Sequence, residues 1–278
     1  AAPMERMGVD TGGTFTDFVF WRDGQLQIAK RLSTPHNPAE ALLAEIDAAT
    51  APAILIHGTT VATNALLERR GAVTALITTA GFKDVLVIGR GDRPSLYEIN
   101  QTRPEPLVAD DLRIEISERM TFDHQVLVPL HDDAIHAVIP VLEAHGVTAI
   151  AVCLLHAYAN PAHELRIGAV LQAHNPHWHV SLSHRIVNEA REYERTATTV
   201  VNAYVAPQLT HYLQYLATHL PSHTKLRIMA SDGGSMGVGT AQTFPARTTL
   251  SGPAGGIVGA FAVAQQVGIT QCITFDMG

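Results

Sequence analysis

Residues 10–17 read DTGGTFTD, and no other stretch constrains the fold of this chain so tightly. Apolar residues stand on both sides of it, so the pattern predicts a strand over residues 7–9, a glycine turn, and a second strand over 15–21. Asp23-Gly24 is a hairpin signal that sends the chain into a third strand over 26–30. The expected opening is a three-stranded antiparallel meander with paired glycines in its first turn.

Beyond the meander, helical and strand patterns alternate. Asn37-Pro38, with Glu40 in the capping-box position, starts a helix expected to reach residue 49. Further strands are expected over 54–57, 73–78, 112–116, 125–129, 148–155, 180–182, 226–230 and 272–275. Helices are expected over 61–70, 82–88, 132–145, 161–173, 193–219 and 253–267, with Pro207 kinking or splitting the longest. Strands alternating with helices predict an α/β layered fold with a mixed sheet.

Hydrophobic residues are 46% of the 278 and charged residues 16%, spread along the whole length, which suits one large or two moderate folded domains. The net charge is −7 (19 basic against 26 acidic residues), with no Lys/Arg cluster, so nucleic acid is not an expected partner. No apolar run approaches the roughly 18–20 residues that span a bilayer. The N-terminus has no basic region followed by an apolar core, so a cytoplasmic location is the default expectation. Cys153 and Cys272 sit in apolar runs and read as reduced, buried strand residues.

The chemistry of the turn comes from its residues. Gly12 and Gly13 permit positive φ and put no side chain in the way of a ligand. Backbone N–H groups of such a turn can converge on an anion, with the hydroxyls of Thr11, Thr14 and Thr16 beside them. Asp10, at the strand end, is placed to hold Mg²⁺ through water beside a phosphate. The lysine of a P-loop and the helix-opening G-x-G-x-x-G are both missing. The competing reading is a tight hairpin whose threonines are simply strand formers. The flanking aspartates weigh against it, and so does an echo at residues 274–278, TFDMG, where Asp276 again ends an apolar stretch with Gly278 two residues on.

Other residues suggest contacts. His57 ends an expected strand ahead of Gly58, Thr59 and Thr60 at a helix start. That is a place for proton transfer or a substrate-oxygen contact, or for a satisfied structural histidine. Arg90 and Arg93 lie either side of Gly91 in an irregular segment, available to a substrate carboxylate or phosphate or merely solvated. The EAREYER run over 189–195 makes i, i+4 charge pairs and reads as a solvated helix face.

DTGGTFTD resembles the N-terminal signature of the hydantoinase A/oxoprolinase family, whose fold belongs to the actin and sugar kinase superfamily. The segments HGTTVATNALLERRGA (57–72), GRGDRPSLYEI (89–99), LLHAYANPAHE (154–164), NEAREYERTATTVVNAYVAP (188–207), SDGGSMG (231–237) and LSGPAGGIVGA (250–260) are similar to the same family, in order, over nearly the whole chain. The resemblance implies an α/β, actin-like (ribonuclease H-like) region over 1–248, with a substrate subdomain around 89–185. Over 249–278 it implies a connecting helix and the first strand of a second nucleotide-binding domain, which the 278 residues stop short of completing.

It further implies ATP and Mg²⁺ as cofactors, with Asp10 as metal holder and Asp10 and His57 as catalytic residues. Thr11, Gly12, Gly13, Thr14, Thr16, Asp276 and Gly278 would bind phosphate, and Thr59, Arg90 and Arg93 the substrate. The implied activity is that of an ATP-dependent cyclic-amide hydrolase, which activates the amide oxygen by phosphorylation before ring opening, with a hydantoinase B-type partner subunit. An ATP-dependent carboxylase of acetone or another ketone fits the same residues. So does a nucleotide-gated binding module without turnover. The 278-residue chain alone is expected to be inactive.

Overall fold

The structure, a computed structural model, describes residues 6–22, 24–34, 37–46, 51–92, 97 and 104–275. In chain order its elements begin with β1 (Arg6–Thr11), β2 (Phe15–Arg22), β3 (Gln25–Leu32), α1 (Pro38–Leu43), β4 (Ile54–Thr59) and α2 (Val61–Leu67). Next come β5 (Thr74–Thr79), α3 (Val85–Ile88), β6 (Arg113–Ile116), β7 (Arg119–Met120), β8 (Val126–Val128), α4 (Asp132–Ala144), β9 (Ala149–Cys153), α5 (Ala162–His174) and β10 (His179–Leu182). The chain continues through α6 (Ser183–Ile186), α7 (Glu192–His219), β11 (Lys225–Met229), β12 (Ser235–Gly237), α8 (Val238–Thr243) and α9 (Ser251–Gln266). It forms two compact units: Ala1–Glu68 with Gln208–Gly278, and Arg69–Pro207.

The first unit is built on a six-stranded sheet of order β12-β11-β4-β1-β2-β3. The meander β1-β2-β3 is antiparallel, while β4 joins β1, and β11 joins β4, in parallel. Gly24, at φ +73°, turns β2 into β3, and Asp23 lies outside the described residues. Strand alternation divides the sheet into two faces. β1 buries Met7, Val9 and Thr11 and turns Asp10 to the other side. Met7, Val9, Phe18, Leu55 and Ile228 pack with Leu42 of α1 and with Leu209, Leu213 and Leu216 of α7 to make this unit's core. The opposite face carries α9 over β4 and β11.

The second unit has a parallel sheet of order β10-β9-β5-β6. β5 and β9 are buried at every position, as the continuous apolar run around residue 150 predicts for a strand covered on both faces. Ile135 and Leu142 of α4 and Ile167 and Leu171 of α5 complete its core. A polar cluster is sealed in beside them. The Glu164 carboxylate, wholly buried, accepts hydrogen bonds from the Leu154 N–H, the Ser183 hydroxyl, and both the backbone N–H and Nδ1 of His184. Arg195 Nη1 donates to the Leu154 carbonyl and to Ser183 Oγ.

Several expectations need correction. The EAREYER run is not a solvated face throughout, since Arg195 is 1% exposed and points into this cluster. Residues 272–275 form no strand and Cys272 is exposed, because no strand lies beside them among the described residues. Pro207 does not split α7, which runs on as one helix. Its two ends are anchored by buried residues, Val200 and Ala203 before the proline and Leu209 and Leu213 after it. α1 ends at Leu43, and residues 47–50, which the expected helix included, lie outside the described residues.

Candidate functional site

The glycine turn is where the meander places it, joining β1 to β2. It closes through a Gly12 N–H to Phe15 carbonyl bond of 2.9 Å. Neither Gly12 nor Gly13 has positive φ, so the expected reason for glycine is replaced by a steric one. A Cβ on Gly12 would stand 3.2 Å from the Phe15 carbonyl, tighter than ordinary contact, while the space around Gly13 is open. The turn is pinned from β3's far end. Ser33 Oγ donates to the Gly12 carbonyl at 2.7 Å and accepts from Thr16 Oγ1 at 2.9 Å, and the Ser33 N–H bonds the Thr14 carbonyl.

The three threonines separate. Thr14 is exposed at the turn, whereas Thr11 and Thr16 are buried on the core face. Thr59 is also inside, its Oγ1 accepting from the Val61 N–H at the start of α2. Asp10 lies on the open face, opposite Asp17 on β2 and Gly58 on β4. Lys30 on β3 pairs with Asp17 at 3.1 Å and so offsets the two adjacent carboxylates. Glycines make room for Asp10: its Oδ1 is 2.7 Å from where a Cβ on Gly58 would be, and both oxygens are 3.9 Å from that point on Gly252 at the start of α9. Ser251, the preceding residue, is buried with its hydroxyl unpartnered.

His57 does not end its strand, which runs on to Thr59. Its ring is wholly buried behind the sheet, with Nε2 2.7 Å from the Tyr212 hydroxyl on α7. Burial pushes its pKa down to about 4, with the Val9 backbone opposing weakly, so the ring is neutral at physiological pH. Nδ1 faces Val9 without full hydrogen-bond geometry. A tautomer protonated there leaves Nε2 to accept the Tyr212 O–H. Burial raises the Tyr212 phenol above its ordinary value, against the Thr59 and Thr11 hydroxyls that stand beside it. Thr11 Oγ1 itself falls short of a hydrogen bond.

One sheet thus brings Asp10, Thr11, His57 and Thr59 onto neighbouring positions of β1 and β4. Arg90 belongs to the other unit, where its Nε bonds Glu194 Oε1 at 2.8 Å. Arg93, Asp276 and Gly278 lie outside the described residues. Sequence reasoning missed Ser33, Tyr212 and the roles of Gly58 and Gly252, although both glycines fall in segments that resemble the family.

Asp10 and the open turn fit a phosphate-bound Mg²⁺: a carboxylate sits in a cleft kept clear by glycines, beside a turn whose Gly13 obstructs nothing. Among the described residues no group of three or more His, Cys, Asp or Glu gathers as a metal site. Asp10 would hold such an ion together with phosphate oxygens.

The model of the hydantoinase/oxoprolinase N-terminal region matches residues 6–175, and that of hydantoinase/oxoprolinase matches residues 195–278. The chain belongs to the hydantoinase/oxoprolinase family. The caprolactamase alpha subunit of Pseudomonas jessenii is 36% identical over 98% of this family member and 42% of its own length. The crystal structure of the ATP-dependent caprolactamase superposes with a TM-score of 0.82 at 35% identity, covering 98% of this chain and 42% of that one. Nucleotide-free acetone carboxylase gives 0.83 at 26% identity, covering 96% and 41%. The 5-oxoprolinase of Saccharomyces cerevisiae is 31% identical over 98% of this chain and 25% of its own. This hydantoinase/oxoprolinase chain therefore spans well under half the length of these relatives. Its fold is the mixed α/β, actin-like one, and among the described residues no helix is long and apolar enough to cross a membrane.

Proposed function

We propose that the protein carrying this chain is an ATP-dependent cyclic-amide hydrolase. The observation that carries the reading is the placement of Asp10 over Gly58 and Gly252 beside the open Gly13 turn, in a chain similar to an ATP-dependent caprolactamase and a 5-oxoprolinase.

An amide oxygen is a poor leaving group and its carbon a poor electrophile. ATP held with Mg²⁺ supplies the phosphoryl group that makes that oxygen leave readily. This chain's residues position and neutralise. The Gly13-Thr14 part of the turn offers N–H donors to phosphate, the Gly12 N–H being engaged by the Phe15 carbonyl, and Ser33 keeps the turn rigid. Asp10 would hold the ion, by itself or through water, beside the phosphate. His57, neutral and buried, acts by fixing Tyr212 behind the strand ends, with Thr11 and Thr59 beside it, and does not touch substrate. We assign substrate contacts to the second unit, around Arg90. Asp276 and Gly278 remain our candidates for a second phosphate turn and Arg93 for a further substrate contact. A hydantoinase B-type subunit is the proposed partner, because the caprolactamase relative is itself named a subunit. Dependence on ATP suits a cytoplasmic location.

The likeness to acetone carboxylase keeps ketone carboxylation as a second reading. The test is ATP hydrolysis by the full-length protein with its partner, given caprolactam, hydantoin, 5-oxoproline, or acetone with bicarbonate. Stimulation by a cyclic amide, abolished in Asp10→Ala with the fold intact, is expected. Stimulation by acetone alone selects the second reading, and stimulation by none removes both.

A further inference from the structure

Strand pairing sets six large apolar side chains together on one face of the meander. Phe15, Val19 and Trp21 of β2 stand opposite Leu32, Ile28 and Leu26 of β3, and all six are between 38% and 72% exposed. The face is the one that carries Asp10, because Asp10 pairs with Asp17 and Gly8 pairs with Val19. Gly8 presents no side chain there. Asp17 and Lys30 cross the middle of the patch, but they pair with each other at 3.1 Å and their charges offset. A contiguous apolar surface of this kind marks a place where something packs.

The dimensions of the sheet decide what fits. Six strands about 4.8 Å apart make a sheet about 24 Å wide, and helices on one face lie about 10 Å apart, so each face takes two. On this face α9 lies over β4 and β11, which leaves a lane over β1, β2 and β3. β2 and β3 are eight residues each. That is about 26 Å of strand, the length of about 17 residues of helix. The runs outside the described residues are at most six residues long, so none of them supplies such a helix. The layers of an α/β unit complete its own core, which favours a helix of the same polypeptide over a separate subunit. The chain covers 42% of the caprolactamase subunit it matches, so more than half of that relative's length lies outside the match.

We infer that the outer face of the meander is the seat of an amphipathic helix, packed alongside α9 and supplied by the part of the same polypeptide that lies outside these 278 residues. The seat is a matter of packing and holds whichever reaction the protein catalyses.

The experiment places the photo-cross-linker p-benzoylphenylalanine at position 28 of the full-length protein, irradiated dilute and without a partner subunit. Mass spectrometry then reads the linked peptides. A link within one polypeptide is expected, to a peptide outside these 278 residues whose apolar residues recur at helical spacing. A linked peptide lacking that spacing, a link to a second copy, a link that forms only once the partner subunit is added, or no link at all overturns the inference. Thermal unfolding of the full-length protein gives an independent readout. Ile28→Lys is expected to lower its Tm by several degrees, because it forces a charge into a packed interface. Gln27→Lys, exposed on the other face of the same strand, is expected to leave the Tm unmoved. Equal shifts for the two variants, or none for either, would mean that Ile28 faces water and would overturn the helix seat.

Discussion

The carboxylate of Asp10 leans across from β1 into the space that Gly58 of β4 leaves by having no side chain, its Oδ1 2.7 Å from the would-be Cβ. A methyl group there forces one of them to move, and the shorter route is for the aspartate to swing away. Gly58→Ala is therefore expected to lower amide-stimulated ATP hydrolysis at least about tenfold, the effect of misplacing a catalytic group by an ångström or so. Thermal unfolding should change little. Full activity in a folded Gly58→Ala protein would show that Asp10 need not occupy this position.

His57 and Tyr212 make a pH prediction. The His57 pKa falls from 6.5 in the unfolded chain to about 4 in the fold, so the unfolded state binds the proton more tightly. Stability is then fully present above pH 6.5 and is lost as pH drops toward 4. The depression corresponds to about 3 kcal/mol in total. Urea unfolding at pH 7 and pH 4.5 should show the wild type losing about 2–3 kcal/mol more than His57→Gln. Equal losses would mean that the buried ring is not held neutral.

Ser33 ties the glycine turn to the end of β3 through two hydrogen bonds, one to the Gly12 carbonyl and one from Thr16. Ser33→Ala leaves the buried Thr16 hydroxyl without its partner, a cost of about 1–2 kcal/mol. The turn, once loosened, should bind phosphate less well. A rise of several-fold in the KM for ATP, with a smaller change in kcat, distinguishes this from general destabilisation, which lowers the amount of active enzyme without moving KM.

Local pattern carried much of the architecture. The meander, the Asn37 cap of α1 and the wholly buried β9 follow from turn chemistry and from apolar runs that read the same in any context. Asp10 was visible because it closes an apolar strand beside two glycines. Its surroundings were not, since Ser33, Gly58, Tyr212 and Gly252 converge on the turn only through strand pairing and helix packing. Arg195 misled for the opposite reason. Its i, i+4 charge pattern is satisfied on an isolated helix, and nothing local reveals that Ser183 and the Leu154 carbonyl wait for it inside. At Cys272 an apolar run was legible, but a strand needs a neighbour and none stands beside it among the described residues.

That buried cluster supplies the last prediction. Glu164 and Arg195 are both sealed in the second unit and communicate through Ser183 Oγ, which donates to the carboxylate and accepts from the guanidinium. Removing either group breaks the buried cluster at Ser183 and leaves the remaining charge less compensated in a medium that solvates it poorly, so Glu164→Leu or Arg195→Met alone should cost about 3–5 kcal/mol. Removing both relieves that penalty, because apolar side chains of similar volume need no partners. The double variant is expected to be more stable than the sum of the single losses by about 2 kcal/mol or more, read from urea midpoints in a double-mutant cycle. Strict additivity would show that the two groups are satisfied independently and that the Ser183 bridge carries no coupling between them.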